Sequence, residues 1–433
     1  MYHYNKEIPV SAEYDVIVAG SGPSGICAAV SAARLGKKVA VIERYGVLGG
    51  NLTIGSVGPI MGCVAEGGMR DELTGLLGVQ HNDMQAQKGH VHDINASKRK
   101  ILDLLVKEHV TIYMQAPVID VVKERDAVKG VILSEKEGMS VILGKRVVDA
   151  TGDGDLAVYA GAEYRIGRDS DGLLQPVTLM YVLTGVNEER AITCIGEEDN
   201  VQYKGERFLD FTERCANEGI IPPQCKSVRL YRTLTPGERL VNTTQVNYVN
   251  PLDSRDIVKS EIELRHQIDE ITEFLRKNVE GFENCWIKST ADTLGVRESR
   301  RIMGDYVLDV DDLRAGRRFE DVVVHKANFV VDIHNPDGGG QANGLAEVVH
   351  PYDIPYRCLL PKYIENLIVT GRCISATHEA LASYRIMSVC MALGEAAGIA
   401  AALSIDEDTS LRKLDYKLIQ KELTIRGTDL FSE

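Results

Sequence analysis

Three glycines, Gly20, Gly22 and Gly25, stand in the pattern G-x-G-x-x-G near the start of the chain. The pattern gains meaning from its setting. It follows the apolar run Asp15-Val-Ile-Val-Ala19, short enough for a buried strand, and it precedes an alanine-rich helical run over 26–35 that Gly36 ends as a C-terminal glycine does. In such a unit the first glycine makes the tight turn. The second lets backbone approach a pyrophosphate, and the third lets the helix lie close on the strand. The helix N-terminus, carrying about half a positive charge, then faces the phosphates. A second strand over 38–42 ends at Glu43, 23 residues after Gly20, where a carboxylate can bond an adenosine ribose. This is a dinucleotide site, and the motif alone does not separate flavin from nicotinamide.

The elements that must position it follow from periodicity. A helix beginning near Ser97 carries Ile101, Leu104, Leu105 and His109 on one face, and 111–116 alternates like a strand. Three short β-like runs between Val118 and Val148 read as an antiparallel meander leading into Thr151-Gly152-Asp153. From about Pro176 to Gly340 the βαβ rhythm disappears. There Val258, Ile262, Arg265, Ile268, Ile271, Leu275 and Val279 predict an amphipathic helix over 256–279. A strand over 366–371, a small-residue helix over 386–404 and a polar amphipathic helix over 411–426 complete the chain. The expected division is a nucleotide-binding domain in two parts, 14–175 and 346–405, an inserted domain over 176–345, and a C-terminal helix within 406–433.

Composition excludes several classes. The 433 residues carry 49 Lys and Arg against 63 Asp and Glu, a net charge of −14, which argues against nucleic acid or an anionic membrane as the main partner. No stretch of 18 uninterrupted apolar residues occurs, and the polar segment 1–13 lacks the layout of a signal peptide. Nine scattered cysteines without a C-x-x-C pair fit reduced thiols and a cytoplasmic protein, and they form no cluster for an iron–sulfur centre.

Four further segments sharpen the class: Val148-Asp-Ala-Thr-Gly-Asp-Gly-Asp-Leu-Ala157, Gly295-Val-Arg-Glu-Ser-Arg-Arg-Ile302, Asp332-Ile-His-Asn-Pro336 and Gly371-Arg-Cys-Ile-Ser-Ala-Thr-His-Glu-Ala380. With Gly49-Gly50-Asn51 they make the chain resemble the bacterial FAD-dependent oxidoreductase family, flavoproteins of the two-dinucleotide-binding-domain type distantly related to fumarate reductase flavoproteins. The resemblance covers 14–171 and 354–403 well, and the middle only through its two short motifs. It implies an α/β fold: a glutathione-reductase-type FAD-binding Rossmann domain with a β-meander and an inserted α+β substrate domain. It places FAD against Gly20, Gly22, Pro23, Ser24 and Gly25, then Glu43 and Arg44, then Gly50, Asn51 and Thr53. Val118, Thr151, Gly152, Asp153, Gly371, Arg372 and Arg385 complete the implied set. No second G-x-G-x-x-G follows a strand, so FAD is expected without a resident NAD(P). The stretch 49–55 holds no histidine for a covalent bond, so the flavin is expected to be noncovalent.

Substrate chemistry is assigned to His334, His378 and Arg300. The proline after Asn335 leaves His334 at a strand end, and the resemblance sets His378 beside the flavin; an imidazole suits proton transfer near neutral pH. On a helix, Arg297 shares a face with Arg300 and Arg301 as an anion clamp, the alternative being a solvated cationic face. Metal is not expected: Asp153 and Asp155 lack an EF-hand loop, and His90-Val-His92-Asp93 reads as a polar loop. The expected activity moves a hydride between flavin N5 and a small polar substrate, hydroxylated or carboxylated, with a separate acceptor for the electrons. Reduction of an activated C=C bond, or a flavin electron-transfer subunit, are the alternatives. The sequence leaves self-association open.

Overall fold

The short apolar runs build one sheet of seven strands: Val10–Ala19 (β1), Val39–Glu43 (β2), Thr111–Met114 (β3), Val118–Glu124 (β4), Ala127–Glu135 (β5), Gly138–Asp149 (β6) and Leu367–Val369 (β17). Its order is β3-β2-β1-β6-β5-β4, with β17 also beside β6. β1, β2, β3, β6 and β17 run parallel, whereas β4 and β5 extend β6 as the expected antiparallel meander. The computed structural model describes residue 3 and residues 5–79, 92–196, 200–342 and 346–432.

The helix Pro23–Arg34 (α1) has Pro at its first turn and a run of buried small side chains. They allow the helix Met387–Asp406 (α9) to pack on it backbone to backbone. A Cβ added to Gly394 would lie 2.0 Å from the Ser24 carbonyl, and one on Gly398 would lie 2.1 Å from that of Ala28. α9 is the one helix among the described residues long and apolar enough to cross a membrane, but it is buried within the protein. Helices Gly68–Leu77 (α2) and Ile94–Lys107 (α3) cover the same layer, Asp155–Tyr159 (α4) follows β6, and Tyr164–Ile166 (β7) pairs with Arg300–Ile302 (β14). His109 does not join the α3 face; it sits beyond the helix end with a left-handed φ of 56°.

The middle of the chain makes a second core. Tyr181–Thr184 (β8), Arg229–Arg232 (β11), Arg239–Asn242 (β12) and Trp286–Thr290 (β13) form an antiparallel sheet in the order β11-β12-β8-β13. A two-stranded ribbon, Gln202–Tyr203 (β9) with Glu206–Arg207 (β10), leads into the helix Phe208–Asn217 (α5). The helix expected over 256–279 is Ser254–Asn278 (α6), with a different buried stripe. Leu264, Ile268, Ile271, Phe274 and Leu275 are buried, while Val258 and Ile262 are more than half exposed. Moving along the chain, the buried stripe starts at Ser260 and Leu264, not at Val258.

One face of this second sheet closes on α5 and α6. The other, with Met180, Val182, Tyr231 and Leu240, meets Val57 and Met61 of the first part of the chain. Residues beyond Leu294 return to the first core: Leu308, Leu313, Val323, Val324, Ala327 and Val331 all pack there. They come with Val310–Arg314 (α7) and with Val322–Ala327 (β15), which pairs with Tyr352–Pro355 (β16). His378–Tyr384 (α8) precedes α9, and the polar C-terminal stretch becomes a short 3-10 turn followed by Tyr416–Ile425 (α10).

Candidate functional site

A cavity of 490 Å³ lies at the C-terminal ends of β1, β2, β6 and β17, the edge where open parallel sheets hold ligands. Of the expected cofactor residues, Gly20, Gly22, Pro23, Ser24, Glu43 and Arg44 line it. So do Gly50, Asn51, Val118, Thr151, Gly152, Asp153, Gly371, Arg372 and Arg385. Gly25 and Thr53 are not among the lining residues. Gly25 lets α1 cross the turn, since a Cβ there would lie 1.9 Å from the Gly20 carbonyl. Thr53 donates its hydroxyl to the Leu48 carbonyl at 2.6 Å and so fixes the Gly49-Gly50 bend.

The geometry fits a dinucleotide. Gly20 has φ of 95°, and an added Cβ would sit 2.4 Å from the Ala150 carbonyl, so only glycine makes this turn. No heavy atom lies within 4 Å of a Cβ built on Gly22, leaving room for a phosphate against backbone. The α1 N-terminus has no side-chain cap and no acidic residue in its first turn, so its free N–H groups face the cavity without a competing anion. Glu43, buried at the end of β2, accepts from the Ser21 N–H at 3.0 Å, the Ser21 hydroxyl and the Tyr45 N–H at 3.0 Å. Its carboxylate is held rigid at the lip where a ribose hydroxyl can add a further donor.

Charges along this part of the cavity are matched in pairs. Asp153 accepts from Arg372 and from the Ser299 hydroxyl at 2.6 Å, and Arg44 lies 3.9 Å away. Burial opposes its ionisation, but Arg372, Ser299 and Arg44 outweigh burial and hold it below the usual carboxylate range. Asp149 caps the chain after β6, accepting from the Thr151 hydroxyl at 2.6 Å and the Ala157 N–H at 2.9 Å. Asp155, paired with Arg300, is pushed up to about 6 by burial and by its neighbours Asp153 and Asp149.

The cavity continues past Gly371 to Arg385, Met387 and Cys390, at the N-terminus of α9. There Arg385 donates to the Asp332 carboxylate and to the Asp332 carbonyl, both at 3.0 Å. Asp332 also accepts from Gln341 and lies 3.4 Å from the His334 ring. Burial, then the charge of Arg297, pushes His334 down to about 3 against the pull of Asp332, so the ring is neutral at neutral pH. Gln175 accepts from the His334 N–H at 3.2 Å, while Arg297 is buried and donates to the Pro176 carbonyl at 2.7 Å.

The expected helical clamp of Arg297, Arg300 and Arg301 is not formed. Residues 300–302 are a strand, so neighbouring side chains point to opposite sides, and the three arginines reach three different places. Arg300 donates to the Asp153 carbonyl at 2.8 Å and pairs with Asp155, beside the cofactor residues. Arg301 is buried against Glu298 and the Ala376 and Gly167 carbonyls. His378, the first residue of α8, is buried with Nδ1 2.8 Å from Glu298, and none of His378, His334 and Arg300 lines the cavity. It belongs to a buried Arg301–Glu298–His378 chain, whereas His334 joins Arg385. His92 bonds Ser97 at 2.7 Å through Nδ1, and His90 lies outside the described residues. Sequence reasoning missed Ser21, Tyr45, Asp155, Ser299 and Gln175. Tyr45 and Asp155 adjoin motif residues and were findable; Gln175 and Ser299 carry no local signal.

A parallel sheet with this glycine turn, acidic ribose partner and elongated cavity defines a dinucleotide-binding enzyme of mixed α/β fold. Residues 15–423 match the family described as FAD dependent oxidoreductase, and the chain belongs to that family. It is thus a flavoprotein oxidoreductase with FAD as cofactor. Among curated relatives it is 28% identical over 224 residues to the soluble pyridine nucleotide transhydrogenase of Mycobacterium tuberculosis, covering 46% of each chain. It is 30% identical over 160 residues to the thiamine thiazole synthase of Pyrococcus horikoshii, covering 35% of this chain and 62% of that one. The chain thus spans about half the length of the transhydrogenases it matches. Among solved structures it resembles a geranylgeranyl bacteriochlorophyll reductase-like protein from Thermoplasma acidophilum, with a TM-score of 0.47 and 14% identity over 96% of this chain and 83% of that one.

Proposed function

We propose that this enzyme moves a hydride between a small polar substrate, hydroxylated or carboxylated, and N5 of a noncovalently held FAD. The observation that carries this reading is the continuity of one cavity from the glycine turn at Gly22 to Arg385 and the α9 N-terminus. Residues of the glycine turn occupy one end, and Arg385, Met387 and Cys390 the other. FAD, when bound, supplies the two-electron chemistry. The chain supplies the rest: Arg385, on the cavity wall, orients a polar ligand, and Asp332 and Gln175, with His334 beside them, hold Arg385 in place. Thr293, Leu294 and Val296, from the chain just after the second sheet, border the same cavity. Parallel strands and meander together favour the glutathione-reductase type of FAD domain with an inserted substrate domain. The charge of −14 and nine free thiols favour a cytoplasmic setting and a small-molecule substrate over nucleic acid or membrane. A separate molecule then takes the electrons.

The test is anaerobic titration of the yellow protein with a panel of hydroxy acids, sugars and cyclitols. Bleaching by one chemical class is expected, together with release of intact FAD on acid precipitation. Bleaching by reduced nicotinamide nucleotides and by no member of the panel would overturn the assignment.

A further inference from the structure

We infer that Tyr45 and Thr293 are cofactor-retaining residues: they form a clasp on the dinucleotide cavity, and opening of this clasp limits the exchange of FAD. The inference concerns how the cofactor is kept and is independent of which substrate the flavin meets. Tyr45 comes from the first core, two residues after Glu43, and Thr293 from the chain just after the second sheet. Both line the cavity. Their hydroxyls lie 3.2 Å apart, a hydrogen bond between residues 248 positions apart in the chain.

Each half of the clasp is fixed by its own core. On one side, the Ala291 N–H donates to the Met180 carbonyl at 2.8 Å, and the Gly295 N–H donates to the Thr178 carbonyl at 2.8 Å. The Thr178 N–H returns a bond to the Gly295 carbonyl at 3.2 Å. These bonds pin both ends of the excursion 292–294 to the stretch that leads into β8, so the excursion moves only with the second core. On the other side, the Tyr45 N–H is held by Glu43 at 3.0 Å, and the Arg44 guanidinium lies over the Tyr45 ring, 4.9 Å from its centroid. A second link runs beside the first: the Asp292 N–H donates to the carbonyl of Ile54, another wall residue, at 2.8 Å.

Of the two links, the bond between hydroxyls is the one a side-chain substitution removes. Tyr45 and Thr293 are half-buried and the bond is neutral, so its loss strands no buried charge and costs the fold little. A bond that joins walls from two cores must break when a dinucleotide enters and again when it leaves. Removing it therefore lowers the barrier in both directions, and its signature is kinetic.

Holoprotein loaded with radiolabelled FAD is chased with an excess of unlabelled FAD, and the same holoprotein is diluted to equilibrium for the dissociation constant. Tyr45→Phe and Thr293→Val should each release FAD roughly 2- to 10-fold faster than the parent, the effect of losing one neutral hydrogen bond. The dissociation constant should shift less than the rate. The double variant should be no faster than the faster single one, because both substitutions remove the same bond. Thr293→Ser, which keeps the hydroxyl, should release FAD at the parent's rate. Release at the parent's rate in both single variants would overturn the clasp, whether or not the melting temperature falls. So would effects that multiply in the double variant, or a dissociation constant that rises in step with the rate, which marks direct contact with the cofactor. If Tyr45→Phe does not fold, Thr293→Val against Thr293→Ser decides the matter. Failure of every panel compound to bleach the flavin would sink the hydride-transfer reading and leave the clasp standing.

Discussion

The two ends of the cavity are built in different ways. At the glycine end every charged side chain already has a partner: Glu43 is held by Ser21 and Tyr45, and Asp153 by Arg372 and Ser299. Recognition there falls to backbone, helix N-terminus and rigidly placed acceptors, which suits a cofactor that stays bound. At the Arg385 end the lining charge is Arg385 itself, held by Asp332 from a distant segment, with Met387 and Cys390 beside it. That end is assembled by packing between segments rather than by one local unit.

The largest effect should come from breaking the matched end at its tightest point. Gly25→Val forces side-chain carbon into the Gly20 carbonyl, a clash at 1.9 Å already for Cβ. A loss of about 3 kcal/mol or more is expected from overpacking of this kind, with protein recovered free of flavin. Visible absorbance per chain, read with circular dichroism, checks it. Full flavin loading would show that α1 can shift freely.

Next in size is Glu43→Ala. It removes the acceptor for three donors as well as for a ribose hydroxyl, so FAD affinity should fall by roughly one to two decades. Titration of apoprotein measures this, and an unchanged dissociation constant would remove Glu43 from the cofactor site.

Arg300→Ala discriminates directly between the ends. Because Arg300 pairs with Asp155 and holds the Asp153 carbonyl, the variant should lose FAD affinity by about tenfold. The rate of flavin reduction by whichever substrate bleaches the flavin should be untouched once FAD is saturating. A variant that keeps its FAD but loses that reduction would put Arg300 at the substrate end after all.

The smallest effect concerns pH. His334 binds its proton at about 3 in the folded protein, against 6.5 ordinarily. Between these values the unfolded chain takes a proton that the folded one refuses, so stability falls as pH drops below about 6.5 and is unaffected well above it. His334→Asn should therefore lose less stability than the parent between pH 7 and pH 5. Denaturant unfolding at the two pH values tests this; an equal loss in both proteins would show that the imidazole is not the group responsible.

Local sequence determined the cofactor end almost completely. Gly20, Gly22, Gly25 and Glu43 belong to one βαβ unit whose conformation follows from neighbouring residues, so its spacing could be read directly. Meander and α9 were legible for the same reason, as runs of one period. The phase of α6 was not, because which stripe of an amphipathic helix is buried depends on the sheet it meets. Arg297, Arg300 and Arg301 show the limit most sharply: adjacent in sequence, they were assigned one helical face, yet pairing of β14 with β7 sends them to three destinations. The substrate end is wholly a tertiary product. Gln175, Arg297, His334 and Arg385 come from segments more than 200 residues apart at the extremes. Only packing of these segments against one another decides which of their groups meet.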